Sequence, residues 1–219
     1  MVIELFAHPF SSYCWKVLIA LYENATPFTF RTLGPDQPDN DAAWTQAWPL
    51  RKMPVLVDNG RVVVETDAIV EHLDRVHPGP VRLLPGDAAA AVETRMMTRL
   101  FDDYVMAPMN KHVGDALRPA DARDPFGVAQ AAGELDAIYA WLDARLAGRA
   151  WTAGDDFTLA DCAAAPALFY ADWVRPIPAG LATLRAHRAR LLARPSVARC
   201  VEAARPYRGF FPLGAPDRD

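Results

Sequence analysis

Apolar positions along the chain follow two rhythms. Val2–Phe6 is a short apolar run closed by His8-Pro9, the mark of a buried strand. Between Ser12 and Asn24 the residues Cys14, Val17, Leu18 and Leu21 recur at i, i+3, i+4 and i+7, the stripe of an amphipathic helix. Phe28–Thr32 has strand character. The polar stretch around Pro35 and Pro38 reads as a loop, followed by a short helix near Ala42–Trp48. Pro54–Val57 and Arg61–Glu65 read as strands joined by Asp58-Asn59-Gly60, where Asn-Gly favours the positive φ angles of a tight hairpin. Thr66–Val76 is then a helix with Ile69, Val70, Leu73 and Val76 on one face. The order β-α-β-α-β-β-α ends at the breaker cluster His77-Pro78-Gly79-Pro80.

Beyond that cluster the pattern is helical throughout. Helices are predicted over Ala88–Met106, Gln130–Leu146, Phe157–Tyr170, Leu181–Leu192 and Ser196–Ala204, with Leu117–Phe126 as a connecting loop. The shift from mixed α/β to all-helical predicts two domains, residues 1–80 and 88–219.

Composition narrows the function classes. Of 219 residues, 52% are hydrophobic and 23% charged, so the chain has material for a sizeable core and is not disordered or fibrous. No apolar run approaches the ~20 residues that span a bilayer. Glu4 stands where a secretory leader would be basic or apolar, so a cytoplasmic location is expected. The net charge is −4 with scattered basic residues, which argues against nucleic acid or a membrane surface as partner. Cys14, Cys162 and Cys200 are too few and too dispersed for a disulfide framework. The five histidines show no i, i+4 pair joined to a third ligand, so no metal site is expected.

Three constellations carry candidate chemistry. Phe10-Ser11-Ser12-Tyr13-Cys14 falls between the first strand and first helix, where backbone N–H groups and the helix dipole favour an anion. A serine there often merely caps the helix, and Ser12, which opens it, is the one expected to do so. Ser11-Ser12-Tyr13-Cys14 also resembles the Cys-Pro-Tyr-Cys redox site of glutaredoxins with a hydroxyl in place of the attacking thiol. A hydroxyl forms no mixed disulfide, yet it can donate a hydrogen bond to a thiolate brought by a ligand. In Lys52-Met53-Pro54-Val55-Leu56 a proline opens a strand. Glu65-Thr66-Asp67 lies at a strand-to-helix junction: Thr66 is expected to cap, the helix head can take a carboxylate, and Glu65 can pair with an ammonium. Together these would recognise an amino-acid head group.

In this order and spacing the three elements resemble the cytosolic glutathione transferases, serine-type and theta- or zeta-like. A fourth signature is Phe157-Thr158-Leu159-Ala160-Asp161, which has the form of a capping box with a hydrophobic staple between Phe157 and Cys162. The resemblance covers nearly the whole chain. It implies an α/β plus all-α architecture: a thioredoxin-like N-terminal domain followed by an all-helical C-terminal domain, with a cis bond before Pro54. It also implies glutathione as co-substrate, a small hydrophobic electrophile as second substrate and a homodimer. Residue by residue, Ser11 matches the serine that activates glutathione, with Ser12 the neighbouring alternative. Met53 matches the position whose backbone pairs with the cysteinyl unit, ahead of Pro54. Glu65 and Thr66 match the residues holding the γ-glutamyl end, and Lys52 is a partner for the glycyl carboxylate. Tyr104 and Met109 lie on the helix from which the family builds its electrophile pocket, and the tail Tyr207–Pro212 could cover it.

The chain departs from the zeta-like pattern at Tyr13, which stands in the place of a cysteine and puts a maleylacetoacetate isomerase in doubt. Phe6, Ala7 and His8 stand where tyrosine-type classes carry their catalytic tyrosine, and Tyr13 itself reads as a core or rim aromatic. The implied reaction is attack of a glutathione thiolate on an electrophile. The alternatives are glutathione-dependent thiol exchange through Cys14, which otherwise reads as a buried small hydrophobe, and a binding protein that keeps the fold without catalysis.

Overall fold

A computed structural model describes residues 2–219. Its first part holds β1 (Ile3–Ala7), α1 (Ser12–Glu23), β2 (Thr29–Thr32), α2 (Pro38–Ala47), β3 (Val55–Asp58), β4 (Arg61–Val63) and α3 (Thr66–Val76). The strands form one sheet in the order β2-β1-β3-β4. β1 runs parallel to β2 and antiparallel to β3, with Ile3 opposite Asp58 and Phe6 opposite Val55; β3 and β4 form the hairpin. This is the small mixed sheet of a thioredoxin-like domain. The period of two in β1 sorts its side chains between faces. Ile3, Leu5 and Ala7 join the main core with α1 and α3, while Phe6 joins Leu33, Trp44 and Val55 in a second cluster under α2.

The remainder is helical: α4 (Ala88–Leu100), a π-helical stretch Phe101–Met106, α5 (Ala107–Ala116), α6 (Pro125–Arg145), α7 (Leu159–Val174), α8 (Ala182–Leu192) and α9 (Pro195–Ala204). The helix predicted to stop at Met106 therefore runs on to Ala116. Pro108 lacks the N–H that an α-helix would aim at Tyr104, and the wider π turn precedes it, so the helical path continues past a residue that reads as a breaker.

α7 is buried along almost its whole length and packs against α1, α4 and the π segment. Its first turn closes the capping box: Asp161 Oδ2 accepts the Thr158 N–H at 2.9 Å, and Oδ1 takes the Thr152 N–H at 2.8 Å. The Asp161 carboxylate thus anchors a loop as well as the helix head. One polar tie joins the two parts from behind. Glu23 at the end of α1 takes a bidentate pair from Arg194, at 2.8 and 2.6 Å, and the Ser196 hydroxyl.

Candidate active site

β1 delivers the chain to a tight turn over residues 8–11. His8 Nδ1 accepts the Phe10 N–H at 3.1 Å, and the His8 carbonyl accepts the Ser11 N–H at 3.0 Å. Trp15 Nε1 donates to the Pro9 carbonyl at 2.6 Å, and the Tyr170 hydroxyl, from α7, donates to the Phe10 carbonyl at 2.9 Å. The turn before α1 is therefore held by the helical domain as well as by itself. Ser11, not Ser12, is the N-cap: its φ and ψ are −84° and 121°, and its Oγ accepts the Cys14 N–H at 3.4 Å. Ser12 is already the first helical residue. Capping falls on Ser11 because its backbone is extended, which lets the side chain reach forward to the orphan N–H.

Cys14 is fully buried, and burial pushes its thiol up to about 11 against the smaller opposing pulls of Ser11 and the His8 backbone. Such a thiol is neither exposed nor ionised near neutral pH, the reverse of what an exchange nucleophile requires.

A cavity of about 580 Å³ opens between the sheet edge and the helical domain. Lys52, Met53 and Pro54 form one wall, and the Met53–Pro54 bond is cis. Behind them the Lys52 carbonyl accepts Trp44 Nε1 at 3.1 Å, which secures the loop to α2. Glu65, Thr66 and Asp67 form the facing wall. Here too the cap differs from expectation: Glu65 occupies the N-cap position with φ +68°, and no side chain caps the helix. Thr66 is the first helical residue, so the amide groups at the head of α3 are left for a ligand. A left-handed backbone at a non-glycine residue costs about 1–3 kcal/mol and clusters at ligand clamps.

Tyr13 completes the cavity from α1, with its hydroxyl accepting Asn110 Nδ2 at 3.3 Å. Ser11 and Ser12 are half-buried at the head of the same helix and do not themselves line the cavity. From the helical domain the wall is Arg99, Asp102, Asp103 and Ala107. Tyr104 points to solvent and Met109 is packed in the core, so neither lines the cavity expected of them. The π turn shifts the register along this helix, and charged residues take the inward place.

Charge pairing separates the wall residues into two sets. Lys16, buried within α1, contacts both Asp67 and Asp102. Arg99 Nη2 lies 2.6 Å from each Asp103 oxygen. Burial raises the Asp102 carboxyl above the usual range, with Lys16 pulling the other way. Lys52 and Glu65 are different: each is exposed, and neither side chain has an ionic or hydrogen-bonding partner among the described residues. Sequence reasoning passed over Lys16, Asp102 and Asp103. The legible signal was one lysine inside the apolar run Tyr13–Leu21, which a folded chain must pair with carboxylates.

The model of the glutathione S-transferase N-terminal domain matches residues 5–81, and that of the glutathione S-transferase C-terminal domain matches residues 106–195. The glutathione S-transferase GstB of Escherichia coli is 30% identical over 161 residues, covering 70% of this chain and 76% of that protein. The chain belongs to the glutathione S-transferase family. A probable maleylacetoacetate isomerase of Caenorhabditis elegans is 27% identical over 77% of this chain and 78% of its own. Among solved structures, a glutathione S-transferase of Methylobacterium radiotolerans in complex with glutathione sulfonate is 31% identical, with a TM-score of 0.79 over 92% of this chain and 95% of that one. A Methylobacillus flagellatus glutathione S-transferase with bound glutathione shares the fold at 24% identity, with a TM-score of 0.80 over 90% of this chain and 98% of that one.

Proposed function

We propose that this glutathione S-transferase binds glutathione across the cavity and activates its thiol at the head of α1 for attack on a small electrophile. The observation that carries this reading is the pair of unpartnered charges. Glutathione presents an ammonium and a carboxylate at its γ-glutamyl end and a second carboxylate at its glycyl end. Glu65 and the open amides of α3 suit the first, and Lys52 suits the second. Between them the Met53 backbone would pair with the cysteinyl unit. Residues 1–80 would thus hold glutathione, while residues 88–219 supply the far wall of the cavity.

A free cysteine-type thiol has a pKa near ~8.5, so little is thiolate at neutral pH. A hydrogen bond to an ionised group is worth about 1.5–3 kcal/mol net. One pKa unit corresponds to about 1.36 kcal/mol, so one bond from Ser11 accounts for a shift of one to two units. Ser11 Oγ accepts from the Cys14 N–H, and its own proton can turn from the neutral Cys14 thiol to a bound thiolate. The bond is made to the anion and not to the thiol, and the thiolate then displaces the leaving group of an electrophile resting against Tyr13, Met53 and Ala107. We assign the protein a homodimeric, cytoplasmic setting on the strength of the family resemblance. The exchange alternative through Cys14 loses ground, because that thiol is buried and protonated.

Glutathione binding tests the reading. The melting temperature should rise with glutathione as RT ln(1 + [L]/Kd), and the rise should be smaller in Glu65→Ala. No shift at millimolar glutathione would count against it.

A further inference from the structure

Away from the cavity the fold draws together three side chains that the sequence keeps apart. Asp58 ends β3, His72 lies in the second half of α3, and His77 directly follows that helix. His72 Nε2 is 2.8 Å and His77 Nε2 2.7 Å from one and the same oxygen, Asp58 Oδ2. The three donor atoms all lie within 4.8 Å of one another. The side chains are largely enclosed: Asp58 is 5% exposed, His72 10% and His77 12%. Asn59 Nδ2 donates to the other carboxylate oxygen at 2.8 Å, which fixes the oxygen that faces the rings.

The cluster belongs to the opposite end of the domain from the glutathione cavity. Because β1 and β3 are antiparallel, Val55 lies beside Pro54 at the cavity while Asp58 lies beside Ile3, where β1 begins. α3 likewise starts at the cavity with Thr66 and carries His72 about 9 Å further along its axis, at ~1.5 Å per residue, with His77 just past its far end.

Two imidazoles and one carboxylate form a donor set for a borderline transition ion such as zinc; calcium and magnesium prefer oxygen alone. The rings meet at 74° with centroids 6.1 Å apart, so their nitrogens approach from different directions. Tetrahedral ligation at ~2.0–2.1 Å sets donor atoms ~3.4 Å apart, so each imidazole–carboxylate spacing needs to open by only ~0.6 Å. The Asn59 contact is the kind of outer bond that orients a ligating carboxylate.

We propose that Asp58, His72 and His77 form a zinc site that clamps the end of α3 to the end of β3, with water in the fourth position. On ligation each ring presents its Nε2 lone pair and carries its proton on Nδ1. Two imidazole–carboxylate hydrogen bonds are thereby exchanged for three metal bonds, and any proton displaced from a ligand atom passes to solvent. The spacing of five between the histidines, with the third donor on a neighbouring strand, is why no ligand pattern was visible in the sequence.

The test uses the full chain, stripped with a chelator and kept free of glutathione. Calorimetric titration with zinc chloride should give one ion per chain, and Co²⁺ should give visible bands of a tetrahedral nitrogen–oxygen site. His72→Gln, His77→Gln and Asp58→Asn should each weaken binding by about tenfold or more, while His112→Gln should leave it unchanged. Zinc should also raise the melting temperature of the wild-type protein, a readout that stands even where a variant fails to fold. No saturable binding to the wild type, or binding that survives all three substitutions, would overturn the site and leave the cluster as a hydrogen-bonded carboxylate only.

Discussion

Lys16 Nζ lies 2.7 Å from Asp102 Oδ2, joining α1 of the first domain to the π segment of the second beneath the cavity floor. The lysine is 1% exposed and contacts Asp67 as well, so one buried ammonium is shared between two carboxylates on two other elements. Removing one member of such a buried set leaves an uncompensated charge, which costs about 3–5 kcal/mol. Lys16→Met should lower stability by that amount in urea unfolding. Asp102→Asn should cost less, because Lys16 keeps Asp67. Equal small losses in both would show that solvent screens the set.

Glu65 pairs a strained backbone with the binding role proposed for it, and the two can be separated. Glu65→Gly relieves a φ of +68° and should raise the melting temperature of the free protein, while weakening glutathione binding. Glu65→Ala should raise KM for glutathione with kcat nearly unchanged, since a group that holds the remote end of a substrate contributes uniform binding. Steady-state kinetics check this; equal losses in kcat and kcat/KM would place Glu65 in the chemical step.

All three cysteines are free and buried. Burial pushes the Cys14 thiol up to about 11 and raises Cys162 and Cys200 as well. Ellman's reagent at pH 8 should therefore label none in the native protein and all three in denaturant. Rapid native labelling of one thiol, abolished in Cys14→Ser, would revive the exchange chemistry.

The Glu23–Arg194 tie sets an acid limit on stability. Burial would raise the Glu23 carboxyl, but hydrogen bonds from Arg194 and Ser196 outweigh it and hold it below its ordinary value of 4.5. A depressed carboxyl contributes stability that is fully present above the unfolded value and is lost as the pH falls through the folded one. Denaturation curves should show this loss below about pH 4.5, and Glu23→Gln should flatten it while lowering stability at pH 7.

The sequence carried the strand and helix order because its two periodicities are strong where one face is buried, as in Ile3–Ala7 and Thr66–Val76. Helix heads were less legible. Ser11 and Glu65 take the cap positions expected of Ser12 and Thr66, since the cap follows from backbone angles that adjacent residues can exchange. The continuation through Pro108 was hidden because a π turn leaves no mark in local propensity. Asp102 and Asp103 within that turn, and Arg99 just before it, face the cavity, with Tyr104 outside and Met109 in the core.

The thiolate absorbance of bound glutathione, titrated against pH in the wild type, Ser11→Ala and Ser12→Ala, tests activation at the head of α1 most directly. The wild type should show a thiol pKa one to two units below that of free glutathione. Ser11→Ala should return it toward the free value and lower kcat near neutral pH, with smaller losses at high pH. It should also cost about 0.5–2 kcal/mol of stability, because the same hydroxyl caps α1. Ser12→Ala should leave the pKa in place. A shift in Ser12→Ala alone, or no shift in either variant, would contradict a role for Ser11 in forming the thiolate.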